Sequence, residues 1–401
     1  MLEIHFLVDL AFILLSTKFL GLLTKKIRMP QVVGALIAGL ILGPSLLNIV
    51  HETDFIIKMS ELGVIVLMFG AGLETDVKEL KKAGKASFVI AVIGVLIPLL
   101  GGFLVAIFFN NDGSAFNLSN QKLLENIFMG IILTATSVSI TVETLQELGK
   151  LNTKSGTAIL GAAVIDDILG IILLTVITSL TDPKVNIYFV LFKIVAFFAL
   201  AVLIGILFYK LFNRLSKKHG KKRRLPIVAF SFCLIMAFVA EKYFGVADIT
   251  GAYLAGIIIS NTTQARYIKR RVEIMSYMLL SPIFFASVGL KATFSGMNLN
   301  LLIFTVLLLV IAILTKVIGC GLGAKVCGYT KDESLRIGVG MISRGEVALI
   351  VANLGAQYGL MNPIYFAPII IVVIITTIIT PILLKVVYSK TSPADKGLSI
   401  S

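Results

Sequence analysis

Two aspartates stand side by side inside an apolar run, Leu160-Gly-Ala-Ala-Val-Ile-Asp166-Asp167-Ile-Leu-Gly170, and a lysine, Lys316, sits inside another. A carboxylate withdrawn from water holds a proton more tightly. Its oxygens are also hard ligands for a small cation. Adjacent helical residues point about 100° apart, so the two carboxylates face different neighbours. One can be paired while the other binds an ion. A lysine at such depth needs a counter-ion, since an unpaired one would lose its proton. Asp–Lys alone could be an ion pair that only fixes helix register. The second aspartate leaves a net negative charge, which favours a functional site.

The elements that must position these groups follow from composition. The chain has 401 residues, 57% hydrophobic and 14% charged, with a mean hydropathy of +0.99. Soluble domains are about 45–50% apolar and about 25% charged. The apolar residues come in runs long enough to cross a bilayer as helices rather than alternating as in a barrel. Thirteen spans are expected, near 4–24, 31–50, 57–76, 85–110, 124–147, 154–180, 186–212, 225–244, 248–264, 273–293, 298–325, 332–359 and 363–388. Asp166 and Asp167 then lie about 20 Å from the Lys154 end of their helix, near the midplane. The cysteines Cys233, Cys320 and Cys327 form no C-x-x-C pair and read as small buried hydrophobes. No cofactor is implied, and no signal peptide is recognisable.

The net charge of +14 does not point to nucleic acid. Lys and Arg concentrate on alternate connections, with an excess of about fivefold on one side. That places the N-terminus outside and the C-terminus inside the cell (plasma or inner) membrane. The basic run Lys217–Arg224 reads as a loop on the cytoplasmic face, with an anionic-lipid patch as the other reading. Gly39 and Gly43 mark close helix packing, and Pro282 is expected to kink the tenth span.

Two spans look broken. The fifth carries Thr134-Ala-Thr136-Ser137-Val-Ser-Ile-Thr141, and the twelfth carries Gly340-Met-Ile-Ser-Arg344-Gly-Glu346. Irregular backbone at this depth survives only where it is buried or lines a cavity, and paired broken helices point to a transporter site. Residues 1–180 and 225–390 would form two inverted six-helix repeats, with 181–212 as a linking helix and 391–401 as a short cytoplasmic tail. Glu143, Arg344 and Glu346 would compensate the half-helix dipoles. Glu74 ends the third span and is a possible point on the ion path.

TATSVSIT, then Asp166-Asp167, then Lys316, then SRGEVAL, together with GLETD and SPIFFASVGL, resembles the monovalent cation:proton antiporter-2 family. The likeness is closest to NapA-type Na⁺/H⁺ antiporters and GerN-type members. It implies an inverted-repeat antiporter fold of the NhaA and NapA kind, with a mobile core around the crossed helices and a dimerisation domain, hence a homodimer. It implies that Asp167 is the main ion and proton carboxylate, binding transported Na⁺ with Asp166, and that Asp166 is the partner of Lys316, itself a proton carrier. Thr134, Thr136 and Ser137 would line the site. Asp-Asp with the lysine implies two protons per cation. Absence of a nucleotide-binding tail argues against the potassium-efflux relatives.

The rivals are a sodium-coupled symporter of a small organic anion, a cation channel and an intramembrane enzyme. The symporter would need a larger polar pocket, and the channel has no use for Lys316. The enzyme reading lacks facing aspartates in a GxGD context, and lacks HExxH, since His5, His51 and His219 lie near ends or loops.

Overall fold

The computed structural model describes residues 5–26, 29–75, 77–110, 120–181, 187–219, 224–291 and 298–389. Every regular element among the described residues is helical. They are α1 (His5–Lys26), α2 (Gln31–Leu42), α3 (Asp54–Glu74), α4 (Val77–Asn110), α5 (Asn120–Thr134), α6 (Val138–Glu147), α7 (Lys154–Thr181) and α8 (Ile187–His219). They continue with α9 (Arg224–Phe244), α10 (Asp248–Ser260), α11 (Ala265–Met275), α12 (Ser281–Leu290), α13 (Leu299–Val326), α14 (Lys331–Gly340), α15 (Glu346–Gln357) and α16 (Phe366–Ser389). Ten stretches among the described residues are long and apolar enough to cross a bilayer, and the three shorter apolar helices are 31–42, 248–260 and 347–356.

Helix boundaries follow capping chemistry. Thr53 accepts the Ile56 N–H at the start of α3, and Asn298 accepts the Leu301 N–H at the start of α13. Thr330 and Glu333 form a reciprocal capping box that opens α14. Three expectations from the sequence need correcting. The run Lys217–Arg224 begins as helix, because α8 continues to His219; residues 220–223 lie outside the described residues, as does 391–401. The tenth span starts earlier than expected, at Ala265, because its polar first turns form the amphipathic α11. The irregularity expected at Pro282 lies before it, as a π-helical turn over Ser276–Leu280. Pro282 is a starting residue of α12, where its missing N–H is tolerated.

The chain divides into two compact units, each discontinuous in sequence. The first holds residues 1–20, 35–82 and 167–293. Its centre is α3, which lies on α10 with Gly72 against Tyr253 and Gly256. Ser60 and Ser287 join α3 to α12 by a 2.6 Å hydroxyl contact. Gly39 of α2 meets the backbone of Ala286, so close that no Cβ fits. The expected small-residue seam is thus a real helix contact.

The second unit holds residues 21–34, 83–166 and 294–401. Here α4 packs on α13 through Gly94, Gly319 and Gly323. It also packs on α5, where a Cβ at Gly102 would stand 2.8 Å from the Cα of Gly130. Both broken helices and the first carboxylate of the Asp pair belong to this unit.

Backbone-to-backbone contact leaves no side chain to yield. Gly102→Ala should therefore destabilise the protein by about 1–3 kcal/mol. Gly84 lies on the same helix, and a Cβ there would meet nothing within 4 Å, so Gly84→Ala should be neutral or gain up to about 1 kcal/mol. Thermal unfolding midpoints of the detergent-solubilised variants check the contrast.

Candidate functional site

The two irregular stretches expected from sequence are the places where helix stops. α5 ends at Thr134 and α6 begins at Val138; α14 ends at Gly340 and α15 begins at Glu346. The intervening segments of backbone, 135–137 and 341–345, cross and bond each other. The Ser137 N–H donates to Ser343 O at 2.7 Å, and Ser343 Oγ donates to Ser137 O at 2.9 Å. Thr141 Oγ1 donates to Gly340 O at 2.7 Å, so a hydroxyl of one broken helix answers a carbonyl at the end of the other. A Cβ on Gly345 would stand 2.7 Å from the Ser137 side chain, and only glycine allows that approach.

Arg344 completes the crossing. Its side chain is 1% exposed. One terminal nitrogen donates to Ala135 O at 2.9 Å, just past the carbonyl end of α5, and the other to Ala312 O at 3.1 Å on α13. A full positive charge therefore sits where α5 presents its negative dipole end. Thr376 and Thr377 of α16 hold the arginine backbone, at 3.3 Å to its N–H and 2.6 Å to its carbonyl. Sequence reasoning misses these two threonines. Their signal is a pair of adjacent hydroxyls in the apolar run Ile370–Ile379.

The charged pair lies in the same unit. Lys316 Nζ donates to Asp166 Oδ1 at 2.8 Å, with the two side chains 0% and 1% exposed. The Arg344 donor contact to Ala312 lies one helical turn before Lys316. Asp167 is buried and continues α7 next to Asp166. It shares a helix face with Ala163, one turn earlier.

Ala163 lines a narrow crevice with Thr136, Ser137, Thr141, Ile159 and Gly340. Thr136 is 2% exposed and its Oγ1 has no hydrogen-bond partner. An unanswered buried hydroxyl is costly.

The other residues expected at the site divide. Thr134 is the last residue of α5, and its Oγ1 donates to Ile131 O at 2.8 Å within its own helix. Glu143 is half-buried in the second turn of α6, beyond the break, and not at a helix end. Glu346 opens α15, and its side chain lies outside the described residues. Glu74 belongs to the first unit and is held by Lys269 at 2.5 Å.

Long apolar helices, two of them broken and crossed, with a buried Asp–Lys pair beside the crossing, define an integral multi-pass membrane protein of the secondary-transporter class. The chain matches the family model described as "Sodium/hydrogen exchanger, transmembrane" over residues 12–390, and it belongs to that family. It is 41% identical over 398 residues to the Na⁺/H⁺–K⁺ antiporter GerN of Bacillus cereus, covering 99% of this chain and 100% of that protein. It is 37% identical to a Na⁺/H⁺ antiporter of Enterococcus hirae, covering 95% and 97%. Its fold is similar to that of the sodium proton antiporter MjNhaP1 of Methanocaldococcus jannaschii, with a TM-score of 0.68, 18% identity and 95% of each chain covered. The antiporter resemblance read from the motifs thus stands at the level of the family; the antiporter-2 branch is a narrower placing than this match makes.

Removing one partner of a buried ion pair leaves the other charge stranded, at a cost of about 3–5 kcal/mol. Lys316→Met should lower the unfolding midpoint, and adding Asp166→Asn should restore most of the loss. A double variant no more stable than the single one would show that the pair does not act as a unit.

Proposed function

We propose that this protein is a secondary transporter, not an enzyme, and exchanges a monovalent cation for protons across the cell membrane. Sodium is the first choice of cation, with lithium and potassium as further substrates. The observation that carries the reading is the Lys316–Asp166 pair, wholly buried at 2.8 Å beside the crossed helices. The names of the relatives, Na⁺/H⁺ and Na⁺/H⁺–K⁺ antiporters, support it.

In the proton-loaded state Asp166 is paired with Lys316 and Asp167 carries a proton. Cation binding needs Asp167 deprotonated, and it draws Asp166 away from Lys316. The lysine then loses its proton, because an unpaired buried ammonium is unfavourable. Two protons leave for each cation that arrives. Thr136 and Ser137 complete the cation's oxygen shell. Arg344 fixes the crossing and is not itself exchanged. An empty site with both carboxylates bare is too costly to carry across the bilayer, and this couples the two fluxes.

The architecture proposed with this mechanism has thirteen crossings with the N-terminus outside and the C-terminus inside. The ten long and three shorter apolar helices support that count, and the basic connections support the orientation. Residues 1–180 and 225–390 are two inverted repeats joined by 181–212, and the protein works as a homodimer. Alternating access comes from movement of the helices around the crossing. The crevice beside Thr136 is too narrow for a water molecule, which supports a site that opens only by movement.

Purified protein in proteoliposomes tests this. Cation addition should move protons, and an imposed potential alone should drive exchange, since one net charge crosses per cycle and 100 mV is worth about 2.3 kcal/mol per charge. Exchange indifferent to potential would remove the two-proton scheme. Asp167→Asn should abolish exchange while the unfolding midpoint stays near that of the parent; persistent exchange would overturn the role of Asp167.

A further inference from the structure

A cation outside the transport site lacks an answering charge. Lys18 lies eight residues before the end of α1, so it starts about 12 Å from that end. Yet it is exposed, on the α1 face that also carries exposed Leu15, Phe19 and Leu22. Its ammonium donates to the Tyr277 hydroxyl, on the π-helical turn of Ser276–Leu280. Among the described residues no carboxylate pairs with it. A charge on the lipid-facing side of a membrane helix requires a partner, or must reach toward the headgroups.

The helix behind Tyr277 continues the pattern. In α11, Arg266 and Arg270 are exposed and stand on the stripe that leads to Tyr277, at i, i+4 and i+11. Neither has a carboxylate partner among the described residues. The nearby acids are already engaged: Glu74 and Glu273 both pair with Lys269, at 2.5 and 3.3 Å. Beyond the arginines, exposed Ile274, Tyr277 and Met278 make the surface apolar. The opposite face of α11, Ile268 and Val272, is buried. Basic residues at one end, apolar residues deeper, and a further cation where they meet match the outline of an anionic phospholipid. The π-helical turn widens the helix at that junction, a kind of irregularity that recurs at functional sites.

We propose that Arg266, Arg270 and Lys18 bind the headgroup of an anionic phospholipid whose acyl chain lies over Tyr277 and Met278. The site is distinct from the basic run Lys217–Arg224. It requires only that the chain spans a membrane, not the exchange mechanism.

The chain has no tryptophan, so Met278→Trp supplies a single fluorescent reporter. The full chain carrying it is reconstituted into vesicles of phosphatidylcholine and phosphatidylglycerol, with one or the other lipid brominated. At equal mole fraction, brominated phosphatidylglycerol should quench the reporter more strongly. Each cation near the membrane surface contributes about fivefold to such a preference. Lys18→Gln and Arg270→Gln should each reduce it by about that factor, and Lys58→Gln, on α3, should leave it unchanged. Cation-driven proton movement retained in Lys18→Gln shows that the variant is folded; should that variant fail, Arg270→Gln gives the same readout. Equal quenching by both lipids, or a preference unchanged by both substitutions, overturns the proposal. Quenching by neither lipid also overturns it, and would mean that a second copy of the chain covers this face.

Discussion

Hydrocarbon offers no hydrogen bonds, so each place where a membrane helix stops midway leaves backbone groups that only the protein can satisfy. This chain stops two helices and uses each to satisfy the other. Ser137 and Ser343 exchange bonds across the crossing, Thr141 answers the end of α14, and Arg344 answers the end of α5. The rest of the second unit supports that knot. α16 contributes two threonines that clamp the arginine backbone, and α13 contributes Ala312 O. The glycines at 102, 130 and 345 let backbones approach where side chains would hold them apart.

The same constraint determines the charge pattern. Arg344 is fixed by carbonyls and belongs to the scaffold of the crossing. Lys316 is fixed by a carboxylate, and a carboxylate can be drawn away by a competing cation. The two buried positive charges thus differ in their partners, carbonyls for Arg344 and a carboxylate for Lys316. A carbonyl remains an acceptor throughout, whereas Asp166 has a second possible ligand. The Thr136 hydroxyl is an exception beside the crossing, buried with no hydrogen-bond partner.

At the lipid-facing surface the problem is inverted. Asp166 and Lys316 answer each other inside the protein, but among the described residues Lys18, Arg266 and Arg270 face outward without a carboxylate, and Glu74 and Glu273 are committed to Lys269. The membrane itself is the remaining source of negative charge.

Much was legible in the sequence because hydrocarbon leaves little choice. Runs of apolar residues can only be helices, so the all-helical class and most span limits follow from Asp54–Glu74 or Leu299–Val326 as strings. A charge within such a run must find a partner, so the Asp166–Asp167 pair and Lys316 are matched by the sequence alone. Hydroxyl and glycine clusters at 134–141 and 340–346 exposed the helix breaks, since no continuous apolar helix needs them. Tertiary structure decided what spacing does not encode. Which aspartate of the pair meets the lysine depends on the rotation of α7 about its axis. Whether Glu74 is open to an ion depends on Lys269, nearly two hundred positions away in the chain. Whether Arg344 guards its own half-helix or the other depends on how two breaks cross, and the crossing is a property of packing. Sequence fixes each helix by its local solvent preference; only the folded chain brings distant helices near enough for one charge to choose another.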